Sequence, residues 1–178
     1  MAPFTTALLG VLIGSLVGQA RVDSVYWRLF GNSAESLKSH LTLPLRQDGL
    51  YFYRVVGNTN LDYTVLATVA LVVLSLVGGS IVTKHVQKKL YNLGALLLVV
   101  AATMLDILRS RPLIAVIQKG GIRVNTTTTA NLFLLSKYHA ATLAMLLVAL
   151  SFQMSSDDVE EDGEDEIDEH IVTEKKQK

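Results

Sequence analysis

The sequence predicts an all-α, polytopic membrane protein: a four-transmembrane-helix bundle over residues 1–154, followed by a disordered acidic tail over residues 155–178. Three observations lead there. Half of the 178 residues are hydrophobic and only 18% are charged, below the roughly 25% charged share of soluble domains. Four runs carry little or no charge over the roughly 17–25 residues needed to cross about 30 Å of hydrocarbon. The charge is also divided: residues 157–178 hold 11 acids against 3 lysines, net −8, while residues 1–156 hold 13 bases against 5 acids, net +8. A neutral whole therefore conceals a basic membrane part and an acidic aqueous part.

The first span, PFTTALLGVLIGSLVGQA, covers residues 3–20 and meets no charge before Arg21. It has the length of a secretory signal peptide, but it lacks a basic leading region and GQA is a weak cleavage site, so retention as a membrane helix is expected. The second, YTVLATVALVVLSLVGGSIVT, covers residues 63–83 and is the clearest. The third, LYNLGALLLVVAATMLDILR, residues 90–109, is apolar except for Asp106. The fourth, LFLLSKYHAATLAMLLVALSFQM, residues 132–154, carries Lys137 and His139 near one end, where long polar side chains can snorkel to an interface.

The connections differ in kind. KHVQKK, residues 84–89, is short enough to force spans two and three into an antiparallel hairpin. The first loop, residues 21–62, contains VYWRLF and GLYFYRVV, where aromatics alternate with arginine as in segments that lie at the headgroup level. The apolar context argues against nucleic acid as the partner of those arginines. The third loop, residues 110–131, holds Pro112, Gly120, Gly121 and four consecutive threonines and reads as irregular structure.

Orientation rests on competing counts. Three lysines in the six-residue hairpin loop place it in the cytosol by the positive-inside rule, with both termini beside it. Ten bases in the first and third loops and at their edges pull the other way. Asn125 opens an N-glycosylation sequon, NTT, usable only in the lumen. Lys175 and Lys176 stand fourth and third from the C-terminus, a spacing that resembles the dilysine retrieval signal of endoplasmic reticulum membrane proteins. Both features favour a cytosolic C-terminus and an endoplasmic reticulum address, with the acidic tail as a solvated spacer.

The chemical inventory is small. Cysteine is absent, which excludes disulfides and thiol catalysis. The four histidines fall on four different segments, with no metal-ligand spacing and no paired carboxylates within a span, so no catalytic residue, cofactor or metal is expected. Asp106 reads as the sole acid in the spans and is a candidate polar membrane site, although Arg109 one turn away can pair with it locally. GSLVG places Gly14 and Gly18 in a small-xxx-small pattern that packs the spans together or receives a partner helix, with packing within the bundle favoured. Ser75, Gly78, Gly79 and Ser80 are further candidates for helix packing or client contact.

The order of elements is similar to that of the fungal endoplasmic reticulum chaperones that package amino-acid permeases. LYNLGALLLVV after the basic hairpin loop and NLFLLSKYHAATLAMLLVALSFQ before the acidic tail resemble that family locally, while the final span is poorer in small polar residues and the basic third loop strains the family's topology. The resemblance implies a non-enzymatic chaperone with polytopic transporters as clients, COPII coat components and a retrieval coat as partners, and membrane lipid as its surroundings. The other class left open is a scaffold or accessory subunit of a lipid-biosynthetic enzyme complex, with Asp106 or Lys137 touching a headgroup. A channel is disfavoured, because the spans hold few polar residues to line a path.

Overall fold

The computed structural model describes the backbone of residues 2–27, 43–56, 61–119 and 126–176, and side chains within 3–27, 47–53, 63–119 and 127–156. Among the described residues every regular element is helical: α1 (Ala2–Trp27), α2 (Leu43–Val56), α3 (Leu61–Val82), α4 (Val86–Leu105), a π-helical turn (Asp106–Ser110), α5 (Arg111–Lys119) and α6 (Thr126–Lys176). Four helical stretches are long and apolar enough to cross a membrane, Pro3–Trp27, Tyr63–Val82, Val86–Lys119 and Thr127–Ser156. The four expected spans all appear, three of them substantially longer than expected.

The extensions have local causes. α1 runs seven residues past Ala20, because Asp23 is fully buried and finds partners inside the protein. The third span does not stop at Arg109. Pro112 has no N–H and its ring would crowd the carbonyl four residues back, and here the helix widens by one residue just before it. The Arg111 N–H accordingly bonds to the carbonyl of Asp106, a five-residue step, and the helix continues as α5 to Lys119. Much of the loop expected to be irregular is therefore helical; Gly120, Gly121 and Asn125 lie outside the described residues.

The hairpin is as short as the sequence requires. α3 closes with Thr83 N–H bonded to Gly79 O at 3.1 Å, and Lys89 N–H returns to His85 O at 3.1 Å. α3 and α4 consequently pack side by side, as do α1 with α3, α1 with α6 and α4 with α6, which makes a ring of four. Leu9 and Leu12, Val72 and Leu76, Val99 and Ala102, and Leu146 and Ala149 meet in its centre. Leu74, Ile81, Leu97 and Leu108 point outward, 60–76% exposed, the pattern of helices whose solvent is lipid rather than water. A Cβ on Gly94 would come within 2.8 Å of the Phe152 ring, so the close approach of α4 to α6 depends on that glycine.

A second core closes one end of the ring. GLYFYRVV lies in α2, which turns Leu50 and Tyr53 inward against Tyr26, Ile117, Leu132 and Leu135 and leaves Tyr51 exposed. This is the amphipathic segment the alternation of aromatics and arginine suggests. The opposite end is marked by Thr5 and Ser75, whose hydroxyls lie 2.5 Å apart, and by Gln153, whose amide donates to Asn92 Oδ1 at 2.9 Å. The start of α1, the hairpin turn and the exit of α6 toward the acidic segment therefore share one side.

The acidic segment departs from expectation. Its backbone continues α6 as far as Lys176 rather than forming an irregular tail. A helix already nucleated by the last span adds each further residue at little cost, and the segment contains no proline to stop it.

Candidate functional site

Where α1, α2 and α6 converge, three polar side chains meet in the interior. Asp23, Tyr53 and His139 are 0%, 1% and 3% exposed. The Tyr53 hydroxyl donates to Asp23 Oδ1 at 2.5 Å, and His139 Nδ1 lies 2.7 Å from Asp23 Oδ2. The hydroxyl is also 3.2 Å from the same ring nitrogen. With a proton on Nδ1, the imidazole donates to the carboxylate, so both carboxylate oxygens are engaged. Burial, and after it the charge and hydrogen bond of Asp23, push the Tyr53 phenol well above its ordinary pKa. Trp27 adds a second tie by donating from Nε1 to Ser136 O at 2.9 Å.

Beside this network lies a cavity of about 260 Å³, bounded by α1, α2, α3, α4, the π turn, α5 and α6. Its walls are apolar toward the bundle centre, with Leu12, Leu16, Val65, Val69 and Leu146, and polar toward α2, with Gln19, Tyr53, Gln118, His139 and Thr142. Asp106 and Arg111 also line it, joined by a 3.0 Å ion pair from Arg111 Nε to Asp106 Oδ2. Gln19 Oε1 and Thr142 Oγ1 are buried and have no hydrogen-bond partner. A second cavity, of about 380 Å³, sits at the hairpin end between Thr5, Ser75, Lys84, Lys88, Asn92 and Gln153.

The residues singled out in the sequence are dispersed. Asp106 borders the first cavity, but its partner is Arg111 across the π turn, not Arg109, because the widened turn changes which residue faces it. Gly14 and Gly18 do not pack within the bundle: both are exposed, and a Cβ on either would meet nothing within 4 Å. Gly10 completes the same open row, and Gly78 is likewise unopposed. Internal packing is done instead by Ser75, bonded to Thr5, and by Gly79, where a Cβ would lie 3.1 Å from the Asn92 amide. Ser80 returns its hydroxyl to Leu76 O at 2.8 Å within α3. Lys175 and Lys176 end α6, and Asn125 lies outside the described residues.

Two readings need correction. Asp106 is not the sole acid in the spans, since α1 carries Asp23 inward. His139 does not reach for an interface but is buried on Asp23, while Lys137 is exposed with its ammonium 4.4 Å from the centre of the Phe133 ring. Among the described residues no group of three or more acids and histidines could hold a metal ion. Comparison with known proteins finds no matching family model, curated protein or solved structure.

Proposed function

We propose that the chain is a multi-pass chaperone of the endoplasmic reticulum membrane that holds newly inserted polytopic transporters, amino-acid permeases among them, and delivers them to the COPII coat. The open row of Gly10, Gly14 and Gly18 on α1 carries this reading. Glycines in a helix interior cost roughly 1 kcal/mol each relative to alanine, and in lipid the return comes from letting another helix approach closely. Since no described helix of this chain uses that face, a client's helix is its occupant in this reading. The C-terminus is cytosolic in this reading, so that the acidic segment meets the export coat and Lys175 and Lys176 meet the retrieval coat.

A second reading has one observation in its favour. The Asp106–Arg111 pair on a cavity within the bundle suits an accessory subunit of a lipid-biosynthetic enzyme complex that presents a polar lipid head. Affinity purification of the tagged chain in mild detergent separates the two. Newly made permeases among the bound proteins support the chaperone; lipid-synthesis enzymes without permeases support the subunit and defeat it.

A further inference from the structure

We infer that the cavity beside Asp23, Tyr53 and His139 is a binding site for a neutral lipid that carries a single hydroxyl on an apolar body. The site is independent of the open face of α1 and stands whether or not that face receives clients. Its volume, about 260 Å³, far exceeds the roughly 10–15 Å³ that one water needs.

The polar end is built in layers. α1 and α6 run antiparallel, as Leu9 and Leu12 sit with Leu146 and Ala149 in one core while Tyr26 sits with Leu132 and Leu135 in the other. Asp23 and His139 form the outer layer. Gln19 lies one turn back along α1 and Thr142 one turn on along α6, so both steps lead the same way, toward the bundle centre. There both line the cavity; Thr142, at 6% exposure, has an unpartnered hydroxyl, and the carbonyl oxygen of Gln19 is unpartnered too.

The chemistry of this second layer selects the head group. Gln19 Oε1 only accepts, whereas Thr142 Oγ1 donates or accepts. A ligand hydroxyl is both donor and acceptor, so it can donate to Gln19 and accept from Thr142. A charged head finds no counter-charge: Asp106 and Arg111 face each other at 3.0 Å, and both oxygens of Asp23 are engaged. Burying an uncompensated charge is strongly unfavourable. The apolar body lies along Leu12, Leu16, Val65 and Val69 toward the core. Sterols and diacylglycerols share this chemistry.

The test uses the full chain in phosphatidylcholine nanodiscs with two photoreactive probes, a diazirine sterol and a diazirine diacylglycerol, followed by mapping of the labelled peptides. We expect saturable labelling of cavity-lining peptides by at least one probe, and the probe that labels identifies the source. Competition should come from the unlabelled neutral lipid and not from phosphatidate. Thr142→Val and Gln19→Leu should each weaken labelling about fivefold or more, the loss that one such hydrogen bond corresponds to. Ala115→Trp keeps the test decisive if either variant fails to fold, because Ala115 is exposed on α5 yet lines the cavity, and the added ring fills it. Labelling that is absent, non-saturable, equally displaced by phosphatidate or unaffected by Ala115→Trp would overturn the assignment.

Discussion

Asp23 and His139 are 116 residues apart in the chain and 2.7 Å apart in the fold, with side chains 0% and 4% exposed. Tyr53 completes the contact from a third helix. The network is thus a polar clasp over one end of the bundle, and its removal has predictable costs.

Truncating the carboxylate leaves two polar groups buried without their acceptor. A buried polar group left without its partner costs about 1–3 kcal/mol, so Asp23→Ala should sharply lower the thermal midpoint of the purified protein in detergent. Asp23→Asn, which keeps an acceptor for the Tyr53 hydroxyl, should lose less. Equal midpoints for wild type and Asp23→Ala would show that the clasp contributes nothing.

The Tyr53 phenol is held neutral by burial and by the neighbouring carboxylate, so its folded pKa lies above its unfolded value. Its contribution is therefore fully present below about pH 10, the ordinary phenol value, and declines as pH rises above it, because the unfolded chain then releases a proton that the folded chain keeps. Unfolding followed from pH 8 to pH 11 should show wild type losing stability more steeply than Tyr53→Phe. Parallel curves would mean that the phenol ionises as readily in the fold as out of it.

Much of this arrangement could be read from the sequence, for reasons that also explain what could not. The spans are legible because lipid demands uninterrupted apolar runs, as at residues 63–83, and KHVQKK leaves no choice but a hairpin. Arg109, Arg111 and Pro112 together look like a stop at the end of the third span, and only the π turn shows how a helix passes them. The clasp is not legible in the sequence, because Asp23 stands after Arg21, in what reads as a loop, and its partner is 116 residues away. One signal was present: Leu12, Gln19, Asp23 and Tyr26 recur at helical spacing beyond the apparent end of the span, so the inward face of α1 continues past Ala20.

Asp106 remains a modest contributor. It pairs with Arg111 at 3.0 Å with the two side chains about 30% exposed, and pairs of that kind are worth about 0–1 kcal/mol. Asp106→Asn should leave abundance and melting almost unchanged. Loss of client export at normal protein level would assign the carboxylate a direct part in function.

The C-terminal tip is predicted to act as an address. Replacing Lys175 and Lys176 together by serine should leave the bundle folded, since both lie far beyond the last buried residue described, Ser156. The double variant should leak to post-Golgi membranes, while Lys178→Ser, which keeps the dilysine spacing, should stay in the endoplasmic reticulum. Retention of a folded double variant as tight as that of wild type would move the address to the spans or to a resident partner.

The most direct test of the chaperone reading is site-specific crosslinking of newly made permease to α1, with Gly14→Leu and Gly18→Leu combined. An added Cβ at either site meets no described neighbour within 4 Å and a helical glycine's propensity cost is removed, so the leucines should not lower the melting temperature while they block close approach of a client helix. The account predicts loss of the permease crosslink and accumulation of permease in the endoplasmic reticulum. Undiminished crosslinking and export with both leucines in place would contradict it.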